Sequence, residues 1–408
     1  MLQSTSIAIF AQQIGHYHAA RYRAASDVFE SMTVISSMNA ADFDEFLSHR
    51  RLDFDVNSLF SGRDCYMAAV RSGEVRTVVY AALDRLKPNL VAVAGWAFPE
   101  SLSAITWAHA NGAKTIMMSD SQEQDAKRHI LREAIKSRVV RACGAALVAG
   151  RLQGDYIVQL GMPRERVFFG YDAVDNRHFC EGADWARAHA ATVRQRHRLP
   201  ERYILASARF IPKKNLEMLV CAFGRALKRA RTPHHLVILG DGPGRAELQA
   251  AIAAADLGSR VILAGFKDYE SLPPFYGLAD AFVHVSLVEQ WGLVINEAAA
   301  SGLPLVVSKA CGAAAELIEQ GVNGLLVEPG DMDNIAEALI RIMSLSKEEL
   351  NGMGEASRRI VANWGTDRFA SELLNASLES LAAPMRKLSL LDRLLMRLMA
   401  RRYITTVS

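Results

Sequence analysis

The sequence predicts an α/β protein built on two parallel-sheet domains, and three observations lead there. Short apolar runs without polar alternation recur along the chain, as strands buried on both faces require. Ala-, Leu- and charge-rich stretches of helical length, such as 214–230 and 245–256, lie between them. A polar segment between Phe179 and Pro200 carries no strand signal and divides the runs into two sets, the pattern of two α/β domains joined by a linker.

The first set of runs is Ser6–Phe10, Leu90–Gly95, Lys114–Ser119, Ala145–Gly150 and Val167–Tyr171. The second is Tyr203–Ala208, His235–Gly240, Val261–Gly265, Ala281–Ser286, Leu303–Ser308 and Gly324–Val327. The expected domains are therefore 1–185 and 200–365, followed by a helix at about 366–382 and a separate tail, 384–408. With 408 residues, half of them hydrophobic, the chain can bury two sizeable cores, which excludes a disordered protein.

The balance of 47 basic against 44 acidic residues is too even for a general nucleic-acid binder. Five cysteines without C-x-x-C spacing give neither a disulfide framework nor a zinc pattern, so small core residues in a reducing cytoplasm are expected. The N-terminal stretch lacks a basic n-region, and no run of about 18 apolar residues occurs without a charge. Neither a signal peptide nor a transmembrane helix is expected.

Charge is instead concentrated at the end. From residue 386, six basic residues face one acid, Asp392, a net of +5 that leaves about −2 for the rest of a +3 chain. Leu388, Leu391, Leu395 and Leu398 recur there at helical spacing. Such a helix either lies on an anionic membrane surface or packs on the protein, and both readings stand. A second basic stretch, Lys127–Arg141, reads as a solvated helix face.

The most informative segment is residues 281–308. A buried run ends near Ser286, Glu289 sits in the loop above it, and a helix opening near Gly292 carries Glu297. In an open parallel sheet, ligands bind beyond the carboxyl ends of strands. The first amides of that helix, on Gly292, Leu293 and Val294, offer an anion site backed by the positive helix end. Glu289 and Glu297 could then accept hydrogen bonds from hydroxyl groups on either side of a diphosphate.

With Glu289-Gln-Trp-Gly292-Leu-Val-Ile-Asn-Glu297, the chain resembles the retaining group 1 (family 4) glycosyltransferases, whose GT-B fold has two Rossmann-like domains facing across a cleft. The resemblance covers residues 170–370 through several motifs in order. Arg209 and Lys214 match an Arg-x-x-x-x-Lys element and would clamp the diphosphate, offsetting charge on the leaving group without a metal. By the same resemblance Glu289 faces the donor sugar hydroxyls and Glu297 holds the ribose. Gly240 and Gly242 would line the nucleotide, and Phe266 and Lys267 would lie near its base. Residues 310–331 and Val174–Phe179 match further elements.

The first half departs from that pattern. Gly15 stands where the family has a glycine pair, and Ser119-Asp120-Ser121 stands where a histidine is usual. Gly15 could let backbone approach the donor phosphate or the acceptor. Asp120 either orients the acceptor or accepts its proton, or simply caps a helix. The Asp-x-Asp triplets at 42–44, 53–55 and 331–333 read as solvated faces and caps, so no metal is expected.

The resemblance thus implies a metal-independent, retaining, hexosyl-type transferase moving sugar from a UDP- or GDP-sugar to a carbohydrate or lipid-linked acceptor. A role in cell-surface polysaccharide or glycolipid synthesis, cytoplasmic or peripheral on the inner membrane face, goes with it. A sugar-nucleotide epimerase on the same fold and a non-catalytic nucleotide-sugar binder are the alternatives.

Overall fold

The computed structural model describes residues 5–39, 52–230 and 232–401. It divides into two compact units, Met1–Ala173 with Thr366–Ser408, and Val174–Gly365. Each is built on one parallel sheet. The first has seven strands: β1 (Ser6–Ala11), β2 (Ser31–Met38), β3 (Asp55–Phe60), β4 (Leu90–Ala94), β5 (Lys114–Ser119), β6 (Ala145–Val148) and β7 (Val167–Phe169), in the order β3-β2-β1-β4-β5-β6-β7. The second has six: β8 (Tyr203–Ser207), β9 (His235–Leu239), β10 (Val261–Gly265), β11 (Ala281–His284), β12 (Leu305–Ser308) and β13 (Gly324–Val327), in the order β10-β9-β8-β11-β12-β13. Among the described residues, helices lie between successive strands, as parallel pairing demands. The strand order reverses direction between β1 and β4 in one sheet and between β8 and β11 in the other, and such points open a crevice for ligands.

All six runs expected in the second half are strands, but the first sheet holds two that the apolar pattern hides. β2 is interrupted by Ser36 and Ser37, both buried; their hydroxyls donate to the Met38 carbonyl (2.6 Å) and to Glu100 Oε1 (2.6 Å). Those bonds let serines sit in a core strand without an unpaired polar group. β3 is the edge strand, half-exposed and correspondingly mixed in composition.

The expected boundary shifts as well. Residues of the supposed linker form helices Asn176–Ala188 and Ala190–His197 inside the second unit, and the first unit ends at Ala173 rather than 185. Asp175 caps the first of these helices by accepting from His178 N (3.1 Å), and Phe179, Ala183 and Ala186 are buried along one face. A Cβ at Gly277 would lie 2.6 Å from the Ala183 carbonyl oxygen, which measures how closely helix Pro273–Gly277 packs there.

Helix Thr366–Ala382 belongs to the first unit, where Phe369, Leu373 and Ala376 join Ile7, Ile9 and Tyr22 in one core cluster. Full burial of a Phe or Leu contributes about 1.5–3 kcal/mol each. The tail also forms a helix, Leu390–Met399, packed on that unit. The expected leucine stripe is split: Leu388, just before the helix, is buried in line with Asp392 and Met396, whereas Leu391 and Leu398 face outward. Arg138 (2.8 Å) and Arg386 (3.2 Å) hold the buried Asp392.

The Lys127–Arg141 stretch is not wholly a solvated face either. Glu133 pairs with Lys136 (2.9 Å) and accepts from Tyr156 (2.7 Å). Of the cysteines, Cys143 and Cys311 are buried as expected, whereas Cys65 and Cys221 are exposed. Among the described residues, no helix is long and apolar enough to cross a membrane.

Candidate functional site

At the switch point of the second sheet, the loops after β8 and β11 are clipped together by backbone. Leu287 N donates to the Lys213 carbonyl (2.8 Å), and Asn215, held in a left-handed conformation at φ 59°, donates its side-chain amide to the carbonyls of Val285 (3.2 Å) and Pro329 (2.7 Å). This clip brings Lys214 onto Glu289: the ammonium donates to Glu289 Oε2, and both side chains are largely buried. His284 Nε2 (3.3 Å) and Ser286 Oγ (3.4 Å) lie against the same oxygen.

Burial alone would raise the Glu289 pKa, but the His284 hydrogen bond and the Lys214 charge outweigh it and hold the carboxyl down to about 2. Burial in turn pushes His284 below its ordinary value. Glu289 is therefore a fixed anion at neutral pH. It can accept hydrogen bonds or stabilise positive charge, and it cannot serve as a general acid.

Glu297 follows in the next helix. It is fully buried in helix Leu293–Ala300, and its Oε2 accepts from the equally buried Tyr276 hydroxyl at 2.6 Å. The turn into the helix is made by Gly292 at φ 101°, a left-handed conformation that favours glycine. Trp291 below it donates to Asn296 Oδ1 (2.9 Å) and packs on Trp364 with ring centroids 5.4 Å apart. As first-turn residues, Leu293 and Val294 follow this glycine with amides that the helix itself does not pair. The 310–331 element is tied in here, since Gly312 N donates to the Glu289 carbonyl (3.0 Å) and Ala313 N to that of Trp291 (3.1 Å).

Other expected donor residues cluster around the same strand ends. Arg209, after β8, is exposed and has no carboxylate at ion-pair distance among the described residues. Gly240 and Gly242 answer to packing: a Cβ on either would run into the backbone of the β8 loop, at 2.6 Å from the Phe210 carbonyl oxygen for Gly242. They are what allows the Arg209 loop to lie against the turn after β9. Phe266, just beyond β10, is 77% exposed, and Lys267 stands over the Phe275 ring at 5.5 Å.

In the first unit, Gly15 follows β1 at the switch point, and a Cβ there would meet nothing nearer than His18 Nδ1 at 3.9 Å. Its freedom is thus not demanded by local packing. Asp120 follows β5 and stands at no helix N-cap, since the N-cap positions of the next helical turns are Gln122 and His129. Burial, reinforced by the Asp172 charge and only partly offset by Arg21, pushes Asp120 up to about 7. Burial, with Arg21 beside it, pushes His18 down to about 3. Arg21 itself is buried, pairs with Asp172 (3.2 Å) and donates to the Tyr171 carbonyl.

The sequence reading missed His284, Ser286, Tyr276, Arg21 and Asp172. His284 and Ser286 carried a signal, a polar pair at the end of an otherwise apolar run, whereas Tyr276 meets Glu297 only in three dimensions. Of the Asp-x-Asp triplets, Asp53 pairs with Arg23 (3.0 Å) and Asp331 caps helix Met332–Met343; the one at 42–44 lies outside the described residues.

Residues 191–360 match the family model described as Glycosyl transferases group 1. The chain is 31% identical over 216 residues to the alpha-D-kanosaminyltransferase of Streptomyces kanamyceticus, covering 52% of this chain and 54% of that protein. It is 29% identical over 192 residues to a GDP-mannose-dependent alpha-(1-6)-phosphatidylinositol monomannoside mannosyltransferase of Mycobacterium tuberculosis, covering 45% and 49%. The chain thus spans about half the length of the curated relatives it matches. Among solved structures, Anabaena HepE in complex with UDP superimposes with a TM-score of 0.72 at 16% identity, covering 91% of this chain and 99% of that one. The sucrose-phosphate synthase of Thermosynechococcus elongatus gives 0.71 at 19%, covering 93% and 100%. The architecture is that of the GT-B glycosyltransferases. The similarity to the group 1 glycosyl transferases thus lies in residues 191–360, within the second unit.

Proposed function

We propose that this protein transfers a sugar, with retention of configuration and without a metal, from a UDP- or GDP-sugar to a carbohydrate or lipid-linked acceptor. The observation that carries the reading is the Lys214–Glu289 pair beside the Gly292 helix start, at the switch point of the second sheet. Relatives that use GDP-mannose and a fold neighbour that binds UDP support it.

In the reaction, the bond between sugar C1 and the β-phosphate oxygen breaks while the acceptor oxygen bonds to C1. Negative charge grows on the diphosphate, and Arg209, Lys214 and the amides of Gly292, Leu293 and Val294 offset it. Glu289, ionised at neutral pH, accepts hydrogen bonds from sugar hydroxyls and stabilises positive charge developing at C1. Phe266 offers its exposed ring to the base, with Lys267 beside it. Glu297 takes the ribose hydroxyls once the Tyr276 hydrogen bond yields.

For the first unit by itself, we assign two residues to acceptor binding. Gly15 lets backbone approach a ligand, and Asp120, with a pKa close to working pH, takes the acceptor proton. Cell-surface polysaccharide or glycolipid assembly at the inner membrane face is the setting we assign.

Calorimetric titration of UDP, GDP and ADP into the wild type and Glu297→Gln tests the donor site. Binding of one nucleotide, weakened about tenfold or more in the variant, supports it and names the base. Equal binding by both proteins, or none by either, removes the donor site from this reading.

A further inference from the structure

We infer that the outward face of the C-terminal helix docks this protein on an anionic lipid bilayer. The helix Leu390–Met399 is fixed in place rather than loosely tethered. Ser389 and Asp392 cap each other's backbone amides (3.0 and 3.1 Å), and Asp392 anchors to Arg138 and Arg386. Leu388 and Met396 are buried in the core of the first unit. With that face committed inward, the opposite face is displayed in a fixed orientation.

That outward face is apolar and basic together. Leu390, Leu394 and Leu398, every fourth residue, are 85%, 53% and 52% exposed, and Leu391 beside them is 48% exposed. Arg393, Arg397 and Arg401, also every fourth residue, flank this ridge, and none has a carboxylate at ion-pair distance among the described residues. On the arginine side runs a groove of about 880 Å³, shared with helices Val75–Leu86 and Pro99–Asn111, with Arg76 also in its lining. The neighbouring helix Ile130–Val140, which supplies Arg138, begins with Ile130 and Leu131 at 87% and 69% exposure next to the exposed Lys127 and Arg132.

Charge selects the occupant. An apolar ridge of this length left in water is a docking feature. A second copy of the same face would bring three unpaired arginines against three, which is repulsive. A surface with phosphate headgroups above hydrocarbon satisfies both halves at once: the leucines enter the acyl boundary while the arginines meet phosphates. This inference does not rest on glycosyl transfer and uses none of the residues assigned to it.

The test is co-sedimentation of the full chain with vesicles of phosphatidylcholine alone and of phosphatidylcholine mixed with phosphatidylglycerol. Two variants are compared, L390S/L394S/L398S and R393Q/R397Q/R401Q, whose exposed positions leave the fold intact; thermal unfolding checks this. Removing the whole tail would confound the result by opening the core at Leu388 and Met396. Wild type should sediment with the anionic vesicles only and be released by salt. The arginine variant should lose on the order of a hundredfold in partitioning, and the leucine variant about tenfold or more. Nucleotide binding by both variants should equal that of wild type. No sedimentation with anionic vesicles overturns the inference, and so does sedimentation that neither variant weakens. A wild-type dimer in sedimentation velocity, dispersed by the leucine variant, overturns it in favour of a second copy.

Discussion

Lys214 and Glu289, on loops after strands β8 and β11 that are adjacent in the sheet, form an ion pair with each side chain 15% exposed. The pair is held from both sides, by the Asn215 clip beneath the lysine and by His284 and Ser286 against the carboxylate. Neither charge is an ordinary surface charge, and changing one alters the state of the other.

Lys214→Met should therefore destabilise the protein by roughly 3 kcal/mol, because it strands a buried carboxylate. Urea unfolding at pH 7 measures this. The Lys214→Met/Glu289→Gln double variant should recover part of the loss. A double variant as unstable as the sum of the singles would mean that the two side chains do not interact.

The same pair predicts a pH dependence. Glu289 falls from its ordinary 4.5 to about 2 in the folded state. A depressed acid contributes stability that is complete above its unfolded pKa and disappears as pH falls through the folded one. The stability gap between wild type and Glu289→Gln should narrow by roughly 3 kcal/mol between pH 6 and pH 2. A gap that stays constant across this range contradicts the assignment.

Asp120 has the opposite sign. Its carboxyl is raised from 3.8 to about 7, so ionising it costs stability, and the cost grows as pH rises from about 4 through 7. Asp120→Asn should raise the melting temperature at pH 8 and leave it nearly unchanged at pH 4. In turnover assays the wild type should show an inflection near pH 7 that the variant lacks. An inflection retained in Asp120→Asn would assign it to another group.

Glu297 needs a careful substitution. Truncation to Ala removes the carboxylate that accepts from the buried Tyr276 hydroxyl and opens a cavity, at about 2–4 kcal/mol. Glu297→Gln keeps an acceptor for Tyr276 and should melt close to wild type while losing nucleotide affinity. Parallel thermal unfolding and calorimetry separate the two effects; equal melting of the Ala variant and wild type would show that the Tyr276 bond carries little.

The second sheet could be read from the chain because each of its strands is an uninterrupted apolar run. β2 could not, because the bonds that excuse Ser36 and Ser37 come from Met38 and from the distant Glu100. The site divides in the same way. Glu289, Lys214, Arg209 and Gly292 lie at strand ends and helix starts that the sequence marks. The burial of Glu297 under Tyr276, and of Asp120 beside Asp172, arises from residues far apart in the chain. The tail shows the limit of helical spacing alone: its leucines form a stripe on paper, but the buried Asp392, paired with Arg138, turns another face inward.

Helix Thr366–Ala382 completes the core of the unit that begins the chain. During synthesis, the ribosome releases all of Val174–Gly365 before Phe369 and Leu373 emerge to meet Tyr22. The unit made first is thus the last to be finished. A nascent chain halted after Gly365 carries one whole unit and one with an open seam, and that seam is the surface a chaperone would meet.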